Sequence, residues 1–172
     1  DGTDGENVFD NASASIDASG VYTNSAQPSC SVYMTASQTN ATGNGSFCYV
    51  PFNAANFNVG TCYDLTNNYF VAPKTGIYII TGSVEISNIS ASHTHYYVMV
   101  HNVTANFQNY VLTQNPNICK NVLGYFMSCY CTTMKMTAGD HVKLLVAVDG
   151  GSQTVTVNGG YAETTFHCTL ID

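Results

Sequence analysis

The sequence predicts an all-β domain built as a sandwich, a jelly roll or a barrel. Short alternating apolar segments follow one another from Ser29 onward, and turn dipeptides such as Asn44-Gly45 and Asp149-Gly150 separate them. No 11-residue window holds the apolar stripe of an amphipathic helix between capping residues. Many short strands without helices are typical of these three architectures.

Two of the candidate strands are strongly apolar. The segment 76–86 begins with a continuous apolar run and continues with alternation, and the segment 142–148 has the same character. We expect both to be central strands, packed on both faces for part of their length. The predicted strands cover residues 29–36, 47–51, 61–64, 68–72, 76–87, 94–103, 107–113, 122–136, 140–148, 153–157 and 161–171.

The domain organisation is predicted to be simple. A chain of 172 residues has room for one domain with a tail. Residues 1–28 are rich in Gly, Asp, Asn, Ala and Ser and show little alternation, so we expect an extended N-terminal arm or linker. Residues 29–172 then form the globular domain. Because the chain starts at Asp1 without a signal-peptide pattern, we expect a mature product or an excised fragment.

The charge composition excludes two classes of partner. Only 9% of residues are charged, and four Lys, no Arg and eleven acidic residues give a net charge of −7. Nucleic acids and anionic membranes are bound through clustered Lys and Arg, so neither is expected as a partner. No apolar run approaches the length that spans a bilayer, so membrane insertion is not expected either. The many Asn, Thr and Tyr residues favour recognition by hydrogen bonding and stacking.

Seven cysteines leave one unpaired if disulfides form. Cys30, Cys129, Cys131 and Cys168 occupy alternating strand positions that suit small buried side chains. We therefore expect mostly reduced, buried thiols, which implies folding in a cytoplasm; one or two disulfides are the alternative. No CxxC pair with suitable His spacing occurs, so no structural zinc site is predicted.

Five groups of residues stand in an order that resembles a known family. They are Pro28–Met34; Val50–Asn53 with Phe57–Gly60 and Tyr63–Asp64; Phe70–Pro73 with Gly76–Tyr78; Met136–Leu144; and Phe166–Ile171. This order is similar to the globular-head domain of complement, within the tumour necrosis factor-like jelly-roll superfamily, and looks most like its versions on phage and large-virus fibres and capsid decorations. The resemblance covers residues 28–172 and departs from the family pattern at Cys30 and Cys168.

The resemblance implies an antiparallel jelly-roll sandwich of about ten strands that forms a homotrimer. Ligands of such trimers bind at the apex or in grooves between protomers. Four aromatic residues would be divided between the core and the trimer interface, namely Tyr78, Tyr125, Tyr161 and Phe166.

No catalytic residue is predicted. The sequence contains no GxSxG elbow, P-loop, HExxH or paired-carboxylate motif, and the isolated acids have turn or surface explanations. No cofactor is therefore expected.

Metal binding is the remaining chemical alternative. His93, His95 and His101 would share one face at strand spacing, and a threefold axis would triplicate them into a ligand set. A calcium ion held by Asp140 or Asp149 with loop carbonyls is the second candidate. The simpler alternative is that these side chains are polar loop and turn residues.

Ligand binding is expected in the loops, where a rigid scaffold usually presents its recognition residues. The segment 102–110 combines aromatic rings with Asn and Gln, which suits stacking and hydrogen bonding to a glycan. The candidate binding residues are Asn40, Asn44, Phe107, Asn109, Tyr110 and Asn115.

These observations favour a non-enzymatic domain on a virion surface, such as a fibre head or a capsid decoration. It would act as a homotrimer that binds a host-surface receptor or glycan, and residues 1–28 would attach it to a capsid or a fibre shaft. A secreted complement-like or cytokine-like module is the first alternative, and it predicts disulfides and occupied glycosylation sequons. A purely structural capsid cement is the second.

Overall fold

The computed structural model describes residues 14–16, 22–24 and 27–171. The predicted arm lies largely outside these residues; within it, one short strand pairs with the next in antiparallel fashion. The described strands are β1 (Ala14–Ile16), β2 (Tyr22–Asn24), β3 (Ser29–Met34), β4 (Gln38–Thr42), β5 (Cys48–Tyr49), β6 (Ala54–Val59), β7 (Tyr63–Asp64), β8 (Tyr69–Val71), β9 (Gly76–Ser87), β10 (His95–Asn102), β11 (Phe107–Gln114), β12 (Phe126–Met136), β13 (His141–Asp149), β14 (Val155–Val157) and β15 (Gly160–Leu170).

Two antiparallel sheets pack face to face, which confirms the predicted all-β sandwich. The larger sheet has the order β4-β14-β9-β15-β3-β6, with β12 also paired to β9. The smaller sheet has the order β11-β10-β13-β8-β7, with β5 also paired to β13. Apart from the consecutive pairs β7–β8 and β10–β11, neighbouring strands of the two sheets are distant in sequence, so the core depends largely on non-local contacts.

Strand β9 organises the larger sheet. It pairs with β12 along one edge, and with β15 and then β14 along the other. Tyr78, Ile80, Val84 and Ile86 point from β9 into the core and are fully buried, as the alternation of the sequence requires. Ile77, however, is 37% exposed on the outer face, so the expected burial of both faces is wrong for this end of the strand in the single chain.

Strand β13 is buried on both faces as predicted. Leu144, Val146 and Val148 face the other sheet, and Leu145 and Ala147 are also buried.

Three aromatic side chains pack together in the core between the sheets. They are Phe52, Tyr63 and Phe166, whose ring centroids lie 5.7 to 6.3 Å apart.

Two cysteines lie on the opposite face from the one expected. Cys129 and Cys131 are exposed, because β12 turns Ser128 and Tyr130 toward the core. Successive strand residues face opposite sides, so the alternation located the strand correctly but not its inner face. Cys30 and Cys168 are buried as predicted.

The described residues include one short helix that the sequence did not predict. Helix α1 (Pro116–Cys119) begins after Asn115, whose side chain accepts a hydrogen bond from the Asn117 backbone N–H. Its four residues lie in the connection between β11 and β12. Among the described residues, no helix is long and apolar enough to cross a membrane.

Candidate binding cleft

A cleft of about 550 Å³ opens between strands β11 and β12 at one end of the sandwich. Its walls come from the turn after β10, the start of β11, the end of β12 and the turn before β13. The lining residues are Asn102, Ala105, Phe107, Asn109, Thr133, Met134, Lys135, Thr137 and Asp140. This volume lies in the range of small-molecule sites.

A tight turn positions the aromatic residue of the cleft. Asn106 adopts a φ of 51°, and the Asn102 side chain accepts a hydrogen bond from the Ala105 backbone N–H at 3.0 Å. Phe107 pairs with Asn102 directly after this turn and is 54% exposed. A phenyl ring is thus fixed at the mouth of the cleft with much of its surface open to solvent.

Polar groups form the inner part of the cleft. Asp140 Oδ2 accepts hydrogen bonds from Asn102 Nδ2 and from the Thr137 backbone N–H, each at 2.9 Å. Asn109 Nδ2 donates to Thr132 Oγ1 at 2.9 Å, which joins β11 to β12. Within the described part of the chain, Oδ1 of Asn109 and Oδ1 of Asp140 receive no hydrogen bond from a protein group. The cleft therefore presents two acceptor oxygens beside an aromatic ring.

Asp140 and Asp149, the alternative calcium ligands predicted from the sequence, lie in separate turns. Asp140 directly precedes β13 and Asp149 is its last residue, so they are about 30 Å apart along the extended strand. Asp140 Oδ2 already accepts two protein hydrogen bonds, and Asp149 Oδ1 accepts one from the Gly150 backbone N–H at 2.6 Å. The structure therefore explains both residues as turn-stabilising side chains.

The three histidines predicted as metal ligands are not brought together. His93 is buried in a turn before β10, so it does not share a strand face with His95, which is exposed. His101 lies at the other end of β10, where Nδ1 is 3.4 Å from Tyr49 Oη. Across the described ranges, no group of three His, Cys, Asp or Glu side chains is arranged to hold a metal ion.

Only part of the predicted binding set lies in the cleft. Phe107 and Asn109 line it, whereas Tyr110 is exposed on the far face of the smaller sheet and packs edge-on against Tyr97. Asn115 caps helix α1.

The other two predicted binding residues lie elsewhere. Asn40 and Asn44 belong to the opposite end of the sandwich, where both contact Gln153. They do not contribute to the cleft.

The fold itself has known counterparts. No protein-family model and no curated protein matches this sequence. Among solved structures, murine APRIL at pH 8.5 matches with a TM-score of 0.56 and 9% identity, over 84% of this chain and 99% of that one. The globular domain of the zebrafish complement 1qA protein matches with a TM-score of 0.58 and 13% identity, over 85% and 98%. The chain has their jelly-roll fold.

The four aromatic residues assigned to the core or an interface separate into two pairs in this jelly roll. Tyr78 and Phe166 are buried in the core. Tyr125 is 43% exposed and Tyr161 is 73% exposed, so they are open to solvent in the single chain.

The outer face of the larger sheet carries a mixed polar and apolar surface. In its central row, Ser31, His167, Thr81 and Cys131 stand side by side on four adjacent strands. Burial lowers the pKa of His167, which favours the neutral ring. Exposed apolar side chains surround this row, namely Phe57, Ile77 and Met127.

The smaller sheet carries an aromatic cluster that the sequence analysis missed. Tyr69 stacks on His141 with ring centroids 4.4 Å apart, and Tyr49 stacks on His101 at 6.3 Å. Lys143 Nζ lies 5.0 Å from the Tyr49 centroid and 5.6 Å from the Tyr69 centroid, which gives a cation–π arrangement. The residues come from four strands, and only the spacing of His141 and Lys143 within β13 indicates a shared face.

Proposed function

We propose that this chain is a non-enzymatic binding module and that the β11–β12 cleft recognises a glycan. The observation that carries the proposal is a half-exposed phenyl ring at the mouth of a cleft whose inner wall offers free acceptor oxygens. The jelly-roll scaffold supports it, because both sheets hold the cleft walls in place. The low charge of the chain also suits a neutral, hydroxyl-rich ligand better than a strongly charged one.

The chemistry of the cleft fits a sugar ring. Phe107 offers an apolar surface for the C–H face of a pyranose, and aromatic contacts of this kind add to simple area burial. The Oδ1 atoms of Asn109 and Asp140 can accept hydrogen bonds from sugar hydroxyls, and Lys135 can donate. A few polar groups then orient the bound sugar, and the phenyl ring of Phe107 supplies the apolar contact area.

Removal of the phenyl ring is expected to weaken binding about fivefold, since the lost stacking contact is worth about 1 kcal/mol. The measurement is a glycan array with the intact chain, followed by titration of the best-bound glycan with the Phe107→Ala variant. Phe107 is half exposed, so its loss should leave the fold intact.

Phe47→Ala is the matched control, because Phe47 is also a half-exposed phenyl ring and lies at the opposite end of the sandwich. Unchanged affinity in Phe107→Ala would remove the cleft as the site. A loss confined to Phe47→Ala would move the site to the end of the sandwich where Asn40 and Asn44 lie.

We further propose that the module acts as a homotrimer on a virion surface and attaches it to a host receptor or glycan. The outer face of the larger sheet supports assembly, because Ile77, Met127 and Phe57 leave apolar surface open there in the single chain. The desolvated ring of His167 lies in the middle of this face. Seven free thiols support assembly in a reducing compartment over secretion.

Native mass spectrometry, with thiol alkylation after unfolding and no reductant, tests this assembly. We expect a mass near three times 18.4 kDa and alkylation of most of the seven cysteines. A monomer would overturn the trimer. A species with three disulfides and attached glycans would instead favour the secreted module.

The role of residues 1–28 as an attachment to a capsid or fibre shaft is a separate part of this proposal. If deletion of these residues abolishes particle stability and leaves host binding unchanged, the chain is a structural cement and not an attachment protein.

A further inference from the structure

Three of the seven cysteines meet at one place in the core. Cys30 on β3 and Cys168 on β15 are cross-strand partners, and both are fully buried. Cys62 precedes β7 and is 1% exposed. The three sulfurs come from separate parts of the chain, so folding alone brings them together.

A row of paired residues defines the arrangement. Cys30 pairs with Cys168 on one side and with Asn58 of β6 on the other, and directly paired residues turn their side chains to the same face. Asn58 then holds Cys62 against this row. Its Oδ1 accepts a hydrogen bond from the Cys62 thiol at 3.6 Å and another from the Tyr63 backbone N–H at 2.9 Å.

Cys30 and Cys62 belong to the same buried cluster, and the pKa values of their thiols respond to a hydrogen bond between them. That bond lowers the pKa of Cys62, whereas the pKa of Cys30 is raised by the same bond and by burial. Cys62 is therefore the more readily ionised thiol of the pair, and the thiolate is the form that reacts with disulfides.

We propose that Cys30 and Cys62 are an oxidisable pair, and that they close to an intrachain disulfide when the protein meets a low-molecular-weight disulfide such as oxidised glutathione. The bond would join β3 of the larger sheet to the segment before β7 of the smaller sheet. It would thus fasten the two layers of the sandwich across the core.

The geometry favours Cys62 over Cys168 as the partner of Cys30. Directly opposed residues of an antiparallel pair hold their Cβ atoms about 4.5 to 5.5 Å apart, which is wider than most disulfides accept. Cys62 is not fixed in a ladder opposite Cys30. It follows a turn in which Gly60 and Thr61 have φ values of 73° and 51°, and both turn residues are exposed.

Because Cys62 is 1% exposed, oxidised glutathione reaches its sulfur when the exposed turn at Gly60 and Thr61 opens. Cys62 thiolate attacks one sulfur of oxidised glutathione, the glutathione S–S bond breaks, and one glutathione thiolate leaves. Cys30 then loses its proton to solvent and attacks the Cys62 sulfur of the mixed disulfide, and the second glutathione leaves. The two cysteines are oxidised by two electrons, and one glutathione disulfide is reduced to two thiols.

The test uses the intact chain in glutathione redox buffer, both as the native protein and during refolding from denaturant. After acid quenching and alkylation, peptide mapping identifies the linked residues. We expect a Cys30–Cys62 crosslink and a rise in Tm of about 8 °C relative to the reduced protein. The Cys62→Ala variant should lose both the crosslink and the rise.

Cys168→Ala is the matched control, because it removes the third buried thiol of the cluster and should leave the crosslink in place. The mapping of the unaltered chain stands even if a variant fails to fold. A Cys30–Cys168 crosslink would overturn the proposal. So would the absence of any Cys30–Cys62 crosslink after both native incubation and refolding.

Discussion

Replacement of Gly82 by Val is expected to lower the free energy of unfolding by about 4 kcal/mol. Gly82 lies in the middle of β9, between Tyr130 on β12 and Phe166 on β15. A Cβ atom here would meet the Thr165 carbonyl oxygen and would lie 2.5 Å from Tyr130 Oη and 2.8 Å from its Cζ. The Tyr130 ring therefore occupies the space that a side chain at position 82 would need.

The tyrosine hydroxyl makes this position unusually sensitive. Tyr130 Oη donates a hydrogen bond to the Thr165 carbonyl oxygen at 3.0 Å, across the strand that contains Gly82. Burial raises the pKa of Tyr130, so the hydroxyl keeps its proton and remains a donor. A side chain at position 82 would displace the ring and leave a buried donor and acceptor unpaired.

Urea denaturation of the variant and the unaltered chain measures the effect. Thr81→Val is the matched control, since it places the same Val side chain on the opposite face of the same strand, where Thr81 already has a side chain of that shape. It should change stability by less than about 1 kcal/mol. The double variant Gly82→Ala, Tyr130→Phe should lose less than the two single variants together, because the shortened ring relieves the contact. Strict additivity would show that the two residues do not compete for this space.

The long strands could be predicted from sequence because their own side chains determine them. The segment 76–87 alternates over a full strand, and the structure confirms its bounds. Strands β4 and β6 were missed since Gln38–Thr42 and Ala54–Val59 consist largely of small and amide side chains. Their neighbours β14 and β3 supply the ladder hydrogen bonds that hold them as strands. Pairing with another strand, and not the local sequence, therefore determines their conformation.

The inner face of a strand is less predictable than the strand itself. Both faces of β12 carry side chains of similar character, with Met127, Cys129 and Cys131 outward and Tyr130 and Met134 inward. Only the pairing with β9 fixes which set enters the core. The buried-thiol prediction therefore succeeded for Cys30 and Cys168 on β3 and β15 and was wrong on β12.

The residues of the cleft also differ in how well the sequence predicts them. Phe107 and Asn109 are close in sequence and combine an aromatic ring with an amide, which is a local signal that sequence analysis could use. Thr133, Lys135 and Asp140 reach the cleft from β12 and the following turn, so their part in it depends on how β11 lies beside β12. No local pattern contains that information.

His93 has a structural role that its sequence spacing did not indicate. It is 1% exposed and lies where three connections meet, before β10, after β4 and after β13. The Ser90 backbone N–H donates to Nδ1 at 3.0 Å, and Nε2 lies 3.2 Å from the Ser152 carbonyl oxygen. Because that oxygen can only accept, Nε2 carries the proton and Nδ1 is the acceptor. Both ring nitrogens are thus engaged by backbone groups.

Replacement of His93 by Ala is expected to lower the free energy of unfolding by about 3 kcal/mol. The change opens a cavity and leaves the Ser90 N–H and the Ser152 carbonyl without their partner. His95→Ala is the matched control, because His95 is exposed two residues away, and its effect should stay within about 0.5 kcal/mol. Urea denaturation with and without a chelator separates the two roles. A metal ligand would show a loss of stability on chelation that the His93→Ala variant lacks, whereas the backbone contacts predict no chelator effect in either protein.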